Sequence, residues 1–374
     1  MLRYCGSDLG DSPHIILLGS CKVGNFVVTT PAILGLRRRF PFATIGFIGS
    51  EVTADLECAH PAINWRLSWD STLPGSGLRL QQDLSNKIKS YGSVALAINF
   101  DGFNPVTCSL VPWLSPTYVA GGSLSSNFRS LMDYGPLPQH SFLADHDWDS
   151  SNFLMRHRSL FKTNYIAELF CQMAFVGDYC EPNEINIPLA QPSFDVPDIL
   201  IHCTASRSAK IWPSQYWLRV LQYCEYKKWS VGLVGSSPKL QKEEYKSGDC
   251  EQFLLQNSQL IDLRGQTSLP ELAGACAKAK AMLTLDAGPL HIAAGVGCAT
   301  LAIVGNDIND DGASPIRLWM PRCENVARTY SAYSCLLCSE NRFKNDACLL
   351  LDHPCMNAIS PEFVLSWLDA NVGK

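Results

Sequence analysis

Charge is sparse in this chain: Asp, Glu, Lys and Arg make up 17% of its 374 residues, and the formal net charge is −5. No block of Lys and Arg is present, which argues against a nucleic-acid partner. Arg37–Arg39 is only a short cluster at an expected helix end, where cations suit the helix dipole. No apolar run approaches the ~20 residues that a membrane span needs. The start, Met1-Leu-Arg-Tyr-Cys-Gly-Ser, lacks the apolar core of a signal peptide. These absences predict a cytoplasmic protein with no transmembrane segment, leaving only peripheral contact with a membrane open. Also missing is a Gly-x-Gly-x-x-Gly fingerprint, which disfavours a nicotinamide dehydrogenase.

What is present describes a globular enzyme. Apolar residues make up 47% of the chain, and its length suffices for two domains with separate cores. Sixteen cysteines are many for a cytosolic chain, so free thiols rather than disulfides are expected. Cys203, Cys276 and Cys298 lie in apolar or small-residue stretches and read as buried hydrophobes.

Ala281–Gly305 organises the rest. The apolar run Ala281–Leu285 stops at Asp286, small and apolar residues follow at helical spacing, and Thr300–Val304 forms a second apolar run ending at Gly305. This is a strand, turn, helix, strand unit of a parallel sheet. Asp286, Gly288 and His291 fall at the strand's carboxyl end and the helix's first turn, where α/β sheets bind ligands and free N–H groups attract phosphate. An ordinary helix capped by Asp286, with a packed or solvated His291, is the bland alternative. Asp-x-Gly-x-x-His-x-Ala-Ala also closely resembles the signature of glycosyltransferase family 9, the bacterial heptosyltransferases. The resemblance implies that this segment holds the diphosphate and sugar of an ADP-heptose donor.

In the first half, His14–Gly19 is a buried-strand pattern. Ser20–Asn25 is expected to turn, Val27 to Arg39 to be helical with Pro31 in the early turns, and Thr44–Gly49 to be the next strand. Lys22-Val-Gly-Asn through Thr30-Pro31 to Arg39-Phe-Pro resembles the opening of the same family, in which a Gly-Asp pair stands where this chain has Gly24-Asn25. An amide cannot accept a proton at neutral pH, so a base role carried by that Asp cannot pass to Asn25. Asp101, with Gly102 after the strand Val94–Phe100, is the replacement candidate. A turn-forming Asp-Gly is the competing reading, and loss of the earlier carboxylate favours the base. Gly121-Gly122 reads as a flexible loop near an acceptor. Ala144-Asp-His-Asp-Trp-Asp fits a solvated loop better than a metal site. Ser159 to Val176 reads as a helix with a core-facing stripe.

Gln191-Pro-Ser-Phe-Asp-Val-Pro reads as a linker, dividing the chain into residues 1–192, the acceptor side, and 193–374, the nucleotide-sugar side. After the strand Asp198–His202, the loop Cys203-Thr-Ala-Ser-Arg-Ser-Ala-Lys210 can cradle a diphosphate through Thr204, Ser206 and Lys210, ahead of a helix started by Ser214. The alternative is a polar loop facing water. Lys210-Ile-Trp-Pro resembles the family, in which a lysine before Trp-Pro contacts the donor phosphates. The expected donor set is thus Thr204, Ser206, Lys210, Asp286, Ala287, Gly288, Leu290 and His291, with Gly24 and Asn25 on the other domain's loop. Near the end, Cys335, Cys338, Cys348 and Cys355 can complete a closed, structural Cys₄ site for zinc or iron. Four unligated thiols are the alternative. The following Cys355-Met and Pro361-Glu-Phe-Val364 again resemble the family.

The residues and the resemblance together predict an α/β protein of GT-B architecture, two doubly wound domains facing a cleft. The implied activity is inverting glycosyl transfer from ADP-heptose to a hydroxyl of lipopolysaccharide, another surface glycan or a protein. Asp101 is the expected base, and no catalytic metal is required if Lys210 and helix dipoles neutralise the leaving diphosphate. A sugar-nucleotide epimerase of the same architecture and a non-catalytic sugar-nucleotide-binding protein, which Asn25 favours, are the rivals.

Overall fold

The computed structural model describes residues 1–145, 147, 152–163, 165–240, 249–306, 318–331, 333, 335–341 and 345–373. The chain divides into two compact units, one built from Met1–Trp148 and Phe153–Pro188, the other containing Leu189–Lys374. Leu189–Pro192 goes with the second unit because its backbone is anchored there. Ala190 N–H donates to the Pro270 carbonyl, Lys278 bonds Gln191, and a side chain on Gly274 would strike the Ala190 carbonyl.

In the first unit the strands are β1 (Leu2–Arg3), β2 (His14–Leu18), β3 (Thr44–Gly49), β4 (Trp65–Ser68), β5 (Val94–Asn99) and β6 (Tyr118–Gly121). They form one parallel six-stranded sheet in the order β1-β6-β5-β2-β3-β4. β2 is wholly buried, His14 followed by four aliphatic residues, as a central parallel strand covered on both faces requires. Ile16, Leu18, Ile48, Ala97, Val111 and Val119 form its core on one face. Gly46 admits the Trp65 ring, which a β-carbon there would strike.

The second unit repeats the plan with β7 (Ile199–His202), β8 (Val231–Leu233), β9 (Ile261–Asp262), β10 (Ala281–Leu285), β11 (Thr300–Asn306) and β12 (Val326–Ser331), all parallel, in the order β12-β11-β10-β7-β8-β9. Trp212 and Trp217 are fully buried against each other, ring centroids 5.1 Å apart, and Trp212 Nε1–H donates to the Ile359 carbonyl. Cys203, Cys276 and Cys298 are buried, and all sixteen cysteines are free. Among the described residues, no helix is long and apolar enough to cross a membrane.

This strand order fixes where ligands fit. In each sheet the chain winds outward one way (β2, β3, β4; β7, β8, β9) and then returns to the middle to wind the other way. The reversal leaves a crevice at the carboxyl ends of β2 and β5, and of β7 and β10, the switch points at which open α/β sheets bind ligands.

Several local expectations change. The first long helix spans Val23–Arg39, so Gly24 and Asn25 lie in its first turn rather than before it, and Pro31 is interior. Burial of Phe26, Val27 and Val28 outweighs the poor helix propensity of Gly24 and Asn25. The Ser159–Val176 helix is reduced to Ile166–Met173. Upstream, the Glu168 carboxylate accepts the N–H groups of Lys162 (2.8 Å) and Thr163 (2.6 Å) and the Thr163 hydroxyl, holding that segment as a loop. Leu160 and Phe161 are buried instead in a side-chain cluster where Phe161 meets Phe142 and Phe153. Ser214 is the first residue of the helix Ser214–Lys227, with Pro213 in the cap position.

Candidate active site

At the second unit's switch point, β10 delivers Asp286 and β7 leads into the loop that carries Lys210. The Lys210 ammonium and the Asp286 carboxylate form an ion pair, each side chain largely buried. Burial alone would push the Asp286 carboxyl up. Lys210, with His291 and Arg207, outweighs it, and the group lies below its ordinary value. Burial lowers the His291 pKa to about 4 despite the carboxylate beside it, so its imidazole is neutral at physiological pH. Among the described residues, its buried Nδ1 has no hydrogen-bond partner. Ala287 is extended (φ −152°, ψ 172°) and starts the helix Gly288–Gly295 with no side-chain cap, so the end facing Asp286 keeps unneutralised N–H dipole.

Other expected donor residues are placed differently. Thr204 is fully buried, its hydroxyl bonded to His202 Nε2 (3.1 Å), and so it braces the loop from beneath; Ser206 is exposed. Leu290 has its side chain in the core with Ala302 and Val304, and its N–H donates to the Ala287 carbonyl (3.1 Å). Arg207 and His202 went unassigned in the sequence. Arg207 was visible only as a second cation in the loop, and His202 as the last residue of a strand.

His202 is buried and its pKa also drops to about 4, as does that of His60 in the first unit. With folded values below the unfolded 6.5, the unfolded chain binds the extra protons between those limits, so stability is full above pH 6.5 and falls towards pH 4. Urea unfolding at pH 7 and pH 5 should show this loss, and His202→Gln should lessen it. An unchanged slope in that variant would mean that His202 is not held neutral.

The Lys210 loop is tied to the cysteine-bearing segment. Ala209 N–H and Ser208 Oγ both donate to the Asp346 carbonyl at 3.0 Å, and His353 Nε2 lies 2.9 Å from the Ala209 carbonyl oxygen. Within that segment Cys338 bonds Cys335, and burial together with Cys335 and Cys348 raises it to about 11. Cys355 rises to about 11 through burial and the neighbouring thiols of Cys338, Cys348 and Cys335. The four thiols are therefore neighbours, although among the described residues no three His, Cys, Asp or Glu side chains stand in a ligand arrangement.

At the first unit's switch point, Gly24 is buried and Asn25 half-buried in the helix turn after β2, while Asp101 follows β5. Asp101 N–H donates to Asn99 Oδ1 (3.0 Å), and its Oδ2 accepts from Asn104 Nδ2 (3.0 Å). Gly121-Gly122 is a tight buried loop rather than a flexible one. Asn99 Nδ2 donates to the Gly122 carbonyl (2.8 Å), and a β-carbon on Gly122 would lie 2.6 Å from the Gly102 backbone. In the acidic stretch after Ala144, Asp145 pairs with Arg156 (2.7 Å) and His157 (2.9 Å). His146, Trp148 and Asp149 lie outside the described residues.

The model of glycosyltransferase family 9 (heptosyltransferase) matches residues 154–340, half of the chain. The fold is similar to that of a family 9 glycosyltransferase from Veillonella parvula, with a TM-score of 0.71 at 16% identity, covering 98% of this chain and 99% of that one. It is also similar to the E. coli ADP-heptose lps heptosyltransferase II (TM-score 0.66, 17% identity, 96% and 98% covered). A third likeness is to TibC, an iron-containing dodecameric glycosyltransferase of enterotoxigenic E. coli (TM-score 0.57, 11% identity, 98% and 80% covered). No curated protein matches the chain.

Proposed function

The chain belongs to glycosyltransferase family 9, the heptosyltransferases, and within that family we propose that it transfers heptose from ADP-heptose to a hydroxyl of a lipopolysaccharide-type surface glycan or of a protein. It is a glycosyltransferase of the two-domain GT-B fold. The observation that carries the finer reading is the convergence of Lys210, Arg207, Asp286 and the uncapped helix Gly288–Gly295 at one switch point. Lys210 and Arg207 beside the free N–H groups of that helix end are the kinds of group that hold a diphosphate. Two similar structures hold heptose donors: the E. coli heptosyltransferase WaaC with ADP-2-deoxy-2-fluoro heptose, and TibC with ADP-D-beta-D-heptose.

The reaction is a single in-line displacement at the anomeric carbon, with inversion. Asp101 takes the proton of the acceptor hydroxyl as the new C–O bond forms. Lys210, Arg207 and the helix end stabilise the negative charge that grows on the departing ADP. Asp286 orients Lys210. Release of ADP from ADP-heptose, measured with and without acceptors, tests the scheme. A transferase gains turnover from an acceptor. Conversion of the sugar with no acceptor would instead identify an epimerase, and binding without turnover a sugar-nucleotide-binding protein.

The donor set of the cysteine segment, four neighbouring thiols, suits zinc or iron, and iron accords with TibC. A metal there would be structural: Cys335, Cys338, Cys348 and Cys355 would hold it and so tie down the segment whose Asp346 and His353 brace the Lys210 loop. Protein purified without added metal should contain about one Zn or Fe per chain, as one closed Cys₄ site requires. Cys335→Ser with Cys338→Ser should abolish it and lower Tm, since metal binding is coupled to folding. Metal-free protein of normal Tm would refute the assignment.

A further inference from the structure

Asp101 is held on nearly every side by its own loop. Its N–H is taken by Asn99, its carbonyl accepts from Asn104 N–H (2.9 Å) and Thr107 Oγ1 (2.9 Å), and its Oδ2 accepts from Asn104 Nδ2 (3.0 Å). Among the described residues, no protein group bonds Oδ1. The Asn104 side chain does two things at once. Its Oδ1 caps the helix Pro105–Trp113 by accepting the Val106 N–H (2.9 Å), and its NH₂ faces Asp101. A backbone N–H can only donate, so the capping bond decides which end of the amide is oxygen and forces the NH₂ towards the carboxylate. Asn99 is oriented by the same logic, buried between the Asp101 N–H and the Gly122 carbonyl. The carboxylate is thereby pinned by one oxygen while the other stays available.

We propose that Asn104 is a positioning residue for glycosyl transfer: a helix cap whose amide, locked by the cap itself, fixes the Asp101 carboxylate so that Oδ1 receives the acceptor's proton. This rests on Asp101 being the base. A general base must sit within hydrogen-bond reach of the proton it abstracts, and small misplacements of such a group are costly in rate. A carboxylate on a loop ending in Asp-Gly would otherwise rotate freely about its side-chain bonds.

The two duties of Asn104 separate by substitution, because Ser and Thr also cap helices but carry no amide and bring no second charge beside Asp101. Asn104→Ser and Asn104→Thr should keep close to the wild-type Tm and the KM for the sugar nucleotide. Their kcat should fall by roughly 10- to 100-fold, the range that a hydrogen bond to a charged group represents. In an Asp101→Asn background, neither change should lower kcat further, since there is no carboxylate left to position. If Asn104 were only a cap, both variants would turn over like the wild type and only Asn104→Ala would lose Tm. Wild-type kcat in the two capping variants, with Asp101→Asn impaired, would overturn the positioning role alone. Wild-type kcat in Asp101→Asn would remove the base and its positioning residue together.

Discussion

Asp101→Asn is expected to lower kcat by about 10²–10⁴-fold, the usual contribution of general-base catalysis, while leaving ADP affinity nearly unchanged. A free alcohol is a weak nucleophile, and its proton must go to a nearby acceptor as the glycosidic bond forms. In the first unit's switch-point crevice, Asn25 occupies the turn after β2 and its amide cannot serve. Asp101, at the end of the adjacent strand β5, is a carboxylate already fixed through one oxygen. Asn is nearly isosteric and can keep the loop's shape, so a loss of rate with an unchanged Tm would isolate the chemistry from the fold. Asn25→Asp should preserve or raise activity by restoring the carboxylate that the family carries. Steady-state kinetics with a competent acceptor, beside calorimetric titration of ADP, decides the matter. Near wild-type turnover in Asp101→Asn would dismiss it as the base.

Lys210→Ala should weaken ADP binding by about 1.5–3 kcal/mol, the value of a charge-assisted hydrogen bond. The ion pair with Asp286 adds a second consequence. Removing the ammonium leaves a largely buried carboxylate without its ion-pair partner, so that it repels the phosphates more strongly. Asp286→Asn added to Lys210→Ala should therefore recover part of the lost affinity, a non-additivity expected of two groups in contact. Calorimetric titration of both variants with ADP measures it. An unchanged dissociation constant in Lys210→Ala would remove Lys210 from the donor site, and no recovery in the double variant would show that Asp286 does not oppose the diphosphate.

Much of this protein was written in local pattern. The apolar runs 15–18, 94–98 and 281–285 announce buried parallel strands because both faces of such a strand must be apolar. The Asp286-to-His291 signature and Lys210 before Trp-Pro identify the family for the same reason: they mark strand ends and helix starts, which depend on neighbours in sequence. The thiols of Cys335, Cys338, Cys348 and Cys355 were legible as a group through their spacing.

Tertiary structure alone decided the rest. Helix onset at Val23 depends on burying Phe26 against Phe47, a strand away in sequence. The loss of helix before Ile166 depends on Glu168 capturing the Lys162 and Thr163 N–H groups. Neither has a period in the sequence, because each rests on a contact rather than on a repeat. The pairing of Lys210 with Asp286 joins residues far apart in the chain through the strand order that sets β7 beside β10. The same holds for Asp346 and His353 bracing the Lys210 loop and for Leu290 entering the core. Sequence pattern carries the burial and backbone preferences of each segment. Which polar groups meet at a strand's end depends on which strands become neighbours, and only the folded sheet settles that.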